Sequence, residues 1–248
     1  MKTDKIEGRN PVLEALKAGR EIDKLLIAKG AEEGSMKKII GMAKDQNIIV
    51  QYVERQKLDQ ISESHAHQGV IAQVAAYEYS DVETILENAQ KKGKSPFILI
   101  LDEIMDPHNL GSIIRTADAV GVDGIIIPKR RAVGLTAVVA KTSAGAIEYV
   151  PVAKVSNISQ TIDKLKEKGV WVAGADMKGK QLHFEADFKG ALALVIGGEG
   201  SGISRLVKEK CDFLVKLPMA GQVSSLNASV AAAVLMYEAY RQRISAEK

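Results

Sequence analysis

The sequence predicts an α/β protein, with a small α/β segment followed by a larger domain built on a parallel sheet covered by helices. Three observations predict it. From Pro96 onward, apolar runs alternate with helical patterns and glycine-containing loops. Those runs are too continuous for strands wetted on one side, so they fit a sheet buried on both faces. Residues 1–76 instead alternate shorter strands with helices, and a polar stretch ending in KKGKS separates the two parts.

Taken in order, Pro11–Ala18 reads as a helix, with Asn10 as its N-cap and Pro11 at the first helical position. Leu25–Ala28 is a strand, Met36–Asp45 a helix, and Ile48–Val53 and Val70–Ala76 are strands. Residues 77–95 read as a polar connection with one amphipathic turn around Ile85 and Leu86. The predicted organisation is therefore 1–76, a linker at 77–95, and 96–248. In the last part Phe97–Leu101, Gly124–Ile127, Val170–Ala173, Leu192–Ile196 and Phe213–Leu217 are buried strands. Helices fall at Leu110–Val120, near 136–144, at Ile158–Lys168, at Ser204–Glu209 and from about Ser225 to Ile244.

Composition excludes several classes. A chain of 248 residues that is 46% hydrophobic and 26% charged has the make-up of an ordinary globular protein. It has no apolar run long enough to span a bilayer, and MKTDKIEGRNP lacks the apolar stretch of a secretion signal. No membrane association is expected, and a cytoplasmic location is. The single cysteine, Cys211, excludes an internal disulfide and reads as an idle or buried thiol. His65 and His67 have no further His or Cys nearby, so no metal site is expected. The net charge of +3 permits nucleic-acid binding without demanding it. Two basic clusters, Lys129–Arg131 and Lys91, Lys92 and Lys94, read equally as phosphate contacts or as solvated loops.

Three segments carry chemistry. In LDEIMDPHNLGSIIRTADAVG, Leu110, Ile113, Ile114 and Ala117 form a buried helical stripe, with Ser112, Arg115 and Asp118 opposite. Asn109 sits just before that helix, as a cap or pointing into a cleft at the strand's carboxyl end. In ALVIGGEGSGIS, a buried strand runs into glycines, as happens where backbone must approach a ligand closely. Gly197 and Gly202 have phosphate-loop spacing, but Ile203 replaces the lysine. Gly198 and Gly200 begin a dinucleotide fingerprint whose third glycine is again Ile203, which disfavours a dehydrogenase. In LPMAGQVSSLNASVAAAVLMYEAYRQ, Leu226, Val230, Val234 and Tyr237 form a face expected to pack on the sheet. Ser224 and Ser225 are N-cap candidates, Asn227 falls in the first turn, and the Ala231–Ala233 run suits close packing, including against another subunit.

Together, NLGSIIRTAD, ALVIGGEGSGIS and LPMAGQVSSLNASVA resemble the three motifs of the SpoU branch of the SPOUT methyltransferases, the TrmH-like RNA ribose methyltransferases. EGRNPVLEAL and HQGVIA in the first part are similar to the small substrate-binding domain that precedes this catalytic domain in many members. The resemblance implies a parallel-sheet SPOUT domain with a deep trefoil knot, S-adenosylmethionine as cofactor, RNA as substrate and a homodimer with shared active sites. The pattern is most similar to members that methylate a guanosine 2′-hydroxyl in large-subunit, 23S-type ribosomal RNA.

Carried onto these residues, the resemblance implies a catalytic set of Asn109, Arg115, Glu199, Ser225 and Asn227. It implies cofactor contacts at Thr142, Gly197, Gly198, Leu217, Met219 and Leu226. Arg9 and Asn10 become expected RNA contacts. The family proposal makes Arg115 the base, but a guanidinium almost never loses its proton in a protein. Arg115 is better suited to gripping the adjacent phosphate, held by Asn109 and Glu199, while Ser225 and Asn227 line the ribose. The alternatives are a transfer-RNA or antibiotic-resistance ribosomal-RNA ribose methyltransferase, which the three motifs do not separate. From another class, a non-catalytic RNA-binding protein is disfavoured by the intact five-residue set.

Overall fold

The computed structural model describes residues 5–62, 66–74, 77–222 and 225–246, so His65 and Ser224 lie outside the described residues. The chain divides into two compact units, 1–78 with 134–137, and 79–133 with 138–248.

In the first unit the elements are β1 (Lys5–Glu7), α1 (Arg9–Lys17), β2 (Ile22–Ala28), α2 (Ser35–Asp45), β3 (Ile49–Val53), α3 (Arg55–Ile61) and β4 (Val70–Val74). They form a mixed sheet of order β1-β4-β2-β3, in which β2 and β3 are parallel and the other pairs antiparallel. Strand β2 is buried on both faces. Leu25 and Ile27 pack with Val12, Leu16, Met36 and Ile39 of α1 and α2, while Leu26 and Ala28 pack with Leu58 of α3 on the other side. The alternation follows from the two-residue repeat of a strand.

Two expectations change here. Asn10 is not a cap, because α1 begins at Arg9 and Gly8, at φ 92, turns the chain into it. Pro11 is tolerated because amides in the first turn have no helical partner to lose. The short β1 and α3, each offering little apolar surface, are elements the sequence pattern did not reveal.

The second unit contains α4 (Val82–Lys91), β5 (Phe97–Asp102), α5 (Pro107–Ala119), β6 (Gly124–Pro128), α6 (Ala137–Thr142), β7 (Val152–Val155) and α7 (Ile158–Glu167). It continues with β8 (Trp171–Ala175), β9 (Gln181–Leu182), β10 (Leu192–Gly197), α8 (Arg205–Lys210), β11 (Phe213–Lys216) and α9 (Ala228–Ala246). All seven strands are parallel, in the order β7-β6-β5-β10-β8-β11-β9. Every residue of β5 is buried, as a central parallel strand requires. Ile98 and Ile100 face a core shared with α4, α7 and α8, including Ile85, Ile162, Leu165 and Val207. By alternation Phe97, Leu99 and Leu101 face the other side, and α9 packs there against α5 and β10.

Two further expectations are corrected. The segment 77–95 is more than a polar connection, because Asp81 caps α4, accepting from Thr84 N at 2.6 Å, and Ile85 and Ala89 are buried. In α9 the packed face is not Leu226, Val230, Val234 and Tyr237, all of which are exposed; it is Ala228, Ala232, Leu235, Met236 and Ala239. Ala228, Ala232 and Ala239 let α9 lie close to its neighbours, Leu235 and Met236 fill the space between, and Val230, Val234 and Tyr237 point outward. Arg243 fastens the end of α9, donating to the carbonyls of Ser95 at 2.9 Å, Pro96 at 3.1 Å and Phe188 at 3.2 Å, and lying over the Phe97 ring.

Candidate active site

In an open parallel sheet the carboxyl ends of the strands form the binding edge, because loops there lead into helices on either face. Here β5 and β10 end side by side, with Asp102 opposite Gly197. Asp102 is buried and accepts from Ser204 N at 2.7 Å, tying the far side of the glycine loop to β5. A Cβ on Gly197 would stand 2.0 Å from Gly202 C, and one on Gly198 would stand 2.5 Å from Glu103 O. Backbone therefore approaches backbone at these glycines, and Gly202 N donates to Gly198 O at 3.0 Å to close the loop. Glu199 is carried at its tip.

Helix α5 begins at Pro107, with Asp106 as N-cap accepting from His108 N at 2.8 Å. Asn109 is thus in the first turn and buried rather than a cap before the helix. The Asp-Pro pair was the signal in the sequence that placed this start. At the other end of the site Asn227 caps α9, its Oδ1 accepting from Ser229 N at 3.0 Å and Val230 N at 3.3 Å. Ser225 is exposed two residues earlier and does not fill that role.

Asn109, Glu199 and Asn227 meet. Asn227 Nδ2 donates to Glu199 Oε1 at 2.6 Å and to Asn109 Oδ1 at 2.9 Å, and Asn109 Nδ2 donates to Glu199 Oε1 at 3.1 Å. Donor chemistry fixes both amide orientations: Asn227 Oδ1 is taken by helix amides, so its nitrogen must face the other two side chains. The backbone amide of Ala228 also reaches Glu199 Oε1, at 3.4 Å. Arg115 lies outside this network, exposed opposite the buried stripe of α5. Within one chain Asn109 and Glu199 hold each other and Asn227, and the bonds expected from them to Arg115 are not among those formed by the described residues.

In the first unit Arg9 directs its guanidinium to the carbonyls of Gln68 and Glu33, both at 3.2 Å, while Asn10 is exposed. His67 is buried, accepting from Gly69 N at 3.0 Å on Nδ1, so its Nε2–H donates to Asp59 Oδ1 at 2.8 Å.

Comparison with known proteins gives this edge its family. Residues 96–237 match the SpoU rRNA Methylase family, and residues 5–80 match an RNA 2′-O ribose methyltransferase substrate-binding domain. The chain belongs to the SpoU family. A Bacillus subtilis relative named as a TrmH-family tRNA/rRNA methyltransferase is 57% identical over 240 residues, covering 97% of this chain and 96% of the relative. The crystal structure of the SpoU methyltransferase AviRb from Streptomyces viridochromogenes with AdoMet aligns at TM-score 0.62 and 27% identity, covering 97% and 90% of the two chains. An AdoMet-bound rRNA methyltransferase from Sinorhizobium meliloti aligns at TM-score 0.61 and 25% identity, covering 97% and 87%. This SpoU protein is an S-adenosylmethionine-dependent methyltransferase of the tRNA/rRNA-modifying kind.

The SpoU cofactor suits what the strand-end loops offer. Leu217 and Met219 follow β11 half-buried, and Leu226, just before α9, is exposed. Apolar side chains left open on one short segment would cover an adenine face. Thr142 ends α6 with its hydroxyl turned back to Val138 O at 2.8 Å, filling the space that Gly111 leaves on α5. It therefore offers a methyl and backbone rather than a hydroxyl.

Proposed function

We propose that this protein transfers a methyl group from S-adenosylmethionine to the 2′-hydroxyl of a guanosine in large-subunit ribosomal RNA. The observation that carries the reading is the Asn109–Glu199–Asn227 network beside the closed glycine loop. It is a fixed polar surface at the binding edge of a parallel sheet, preceded by a segment matching a ribose-methyltransferase substrate-binding domain. The Sinorhizobium meliloti structure, an rRNA methyltransferase, supports the ribosomal substrate. Transfer RNA is the second reading, because the relatives are named for both.

When bound, S-adenosylmethionine supplies an electrophilic methyl on a sulfonium whose departure needs no acid. The loops bearing Thr142, Gly197, Gly198, Leu217, Met219 and Leu226 would hold it, within the knotted arrangement the family implies. What the side chains contribute is alignment of the 2′-oxygen and help with its proton. Arg115, exposed and outside the network, grips the phosphate next to the ribose and orients the hydroxyl, whose proton leaves to phosphate or water. Glu199, its Oε1 held by two asparagines, presents its carboxylate to the ribose side, with Ser225 and Asn227 along the same wall. Arg9 and Asn10 belong to the RNA-recognising part.

The site is completed in a homodimer. Val230, Val234 and Tyr237 of α9 are 48%, 39% and 53% exposed, an apolar stripe on a helix whose other face is already packed. A helix apolar on two sides calls for two partners, and a second copy of this chain supplies the other.

The reading is tested by incubating the protein with labelled cofactor and separately with ribosomal and transfer RNA, then mapping the ribose that resists alkaline cleavage. Label on large-subunit RNA at a guanosine is expected. Label confined to transfer RNA selects the second reading, and no label on either rejects both.

A further inference from the structure

Lys129, Arg130 and Arg131 follow β6, and none of the chemistry above uses them. Strand β6 pairs with β5, whose other neighbour is β10, so this basic loop stands one strand away from the glycine loop on the same carboxyl edge. Three contacts fasten it there. Lys129 N donates to Val155 O at 2.8 Å, and Val133 N donates to Ile104 O at 2.9 Å. Arg131 Nη1 donates to Glu103 Oε1 at 2.9 Å.

The last pair is unusual in its backbone. Glu103 and Arg131 both adopt left-handed conformations, at φ 64 and 56, without being glycine. Such positions cost about 1 kcal/mol or more each and persist where the surroundings impose them. Glu103 is also the residue whose carbonyl rests against Gly198. One residue thus braces the basic loop with its side chain and the glycine loop with its backbone. Arg130, between two further cations, is left exposed.

We propose that Lys129 and Arg130 grip a phosphate of the RNA strand carrying the target ribose, with the Glu103–Arg131 pair as the strut that fixes the loop at the rim of the site. The proposal rests on the RNA-methyltransferase reading above. An ammonium and a guanidinium on neighbouring residues of one braced loop suit a phosphodiester, and a strand whose ribose reaches the β5–β10 edge passes the adjacent end of β6. Such contacts position the strand without reading its bases. The strut matters because a preformed cation pair loses less freedom on binding than two cations on an unbraced loop.

The test measures binding of bulk ribosomal RNA from about 50 to about 200 mM salt, together with single-turnover methyl transfer at saturating RNA. The Lys129→Ala/Arg130→Ala variant is expected to bind RNA roughly tenfold more weakly and to flatten the slope of log affinity against log salt by about 0.7 to 0.9, the loss of one neutralised phosphate. Cofactor binding should not change, and Arg130→Lys should keep most of the affinity. Glu103→Gly, which suits the backbone there and removes a negative charge, is expected to weaken RNA binding. Unaltered affinity and slope in the double variant would overturn the grip, and tighter binding by Glu103→Gly would overturn the strut. If the wild-type protein binds RNA without methylating it, the grip survives while the enzymatic reading fails. If it binds no RNA at all, both fail.

Discussion

Asn227 Nδ2 donates to Glu199 Oε1 at 2.6 Å, joining the start of the last helix to the tip of the glycine loop. The same side chain caps that helix through its oxygen. One amide therefore serves both stability and site geometry, and the two roles are separable by substitution.

In Asn227→Ser the hydroxyl can still cap α9, but both nitrogen donations are lost. Stability should change by only a few tenths of a kcal/mol, whereas Asn227→Ala should cost about 1 kcal/mol. Both should slow methyl transfer on the order of tenfold or more. Thermal melts beside labelled-methyl assays check this, and a fully active Asn227→Ser would mean that the bond to Glu199 has no part in the reaction.

Arg115 is exposed and outside the polar network, which suits a group waiting for a phosphate. Lysine keeps the charge but not the two-pronged geometry. Arg115→Lys should therefore lose at least tenfold in turnover with cofactor affinity unchanged. Near-full turnover would remove the bidentate grip.

The outward stripe of α9 predicts a dimer that one charge can split. Tyr237→Glu should sediment as a monomer with its helical circular dichroism intact, and it should lose activity through the incomplete site. A wild-type protein that sediments as a monomer at micromolar concentration would contradict the shared site.

Burial, reinforced by the neighbouring Asp212, pushes the Cys211 thiol up to about 12. A raised pKa leaves less thiolate at every lower pH, so at pH 8 only on the order of one thiol in ten thousand is ionised. The folded protein should resist an aromatic disulfide reagent at pH 8 and yield its one thiol after denaturation. Rapid reaction of the native protein would show that this region opens readily.

Much of the second unit was legible because burial on both faces writes long apolar runs into the strands, as in Phe97–Asp102. The stripe of Leu110, Ile113, Ile114 and Ala117 was legible for the same reason in helical form. The two-residue β9 and three-residue β1 were not, because strands that short are defined by their partners. In α9 periodicity revealed apolar faces without saying which one packs, and the face of Ala228, Ala232, Leu235, Met236 and Ala239 took the inside. Asn109, Glu199 and Asn227 were singled out, but their mutual bonds span up to 118 residues, a separation that local pattern does not encode. Asp102 and Glu103 were missed because a carboxylate bonded to backbone or to a distant arginine looks like any surface acid in one dimension, whereas Asp106 carried a readable signal in the proline that follows it.

Arg243 reaches back 148 residues to hold the carbonyl of Ser95 at the foot of β5. A ribosome adds residues at about 5–20 per second, so on the order of ten seconds separates the birth of that strand from the birth of its clasp. Throughout that interval the nascent second unit lacks α9, and the apolar side of β5, joined by that of β10 once it is made, waits for the helix that will cover it. The first unit has all its strands by Val74 and faces no such wait. Vulnerability during synthesis is therefore concentrated in the catalytic half, and a chaperone meeting this chain would find its target there.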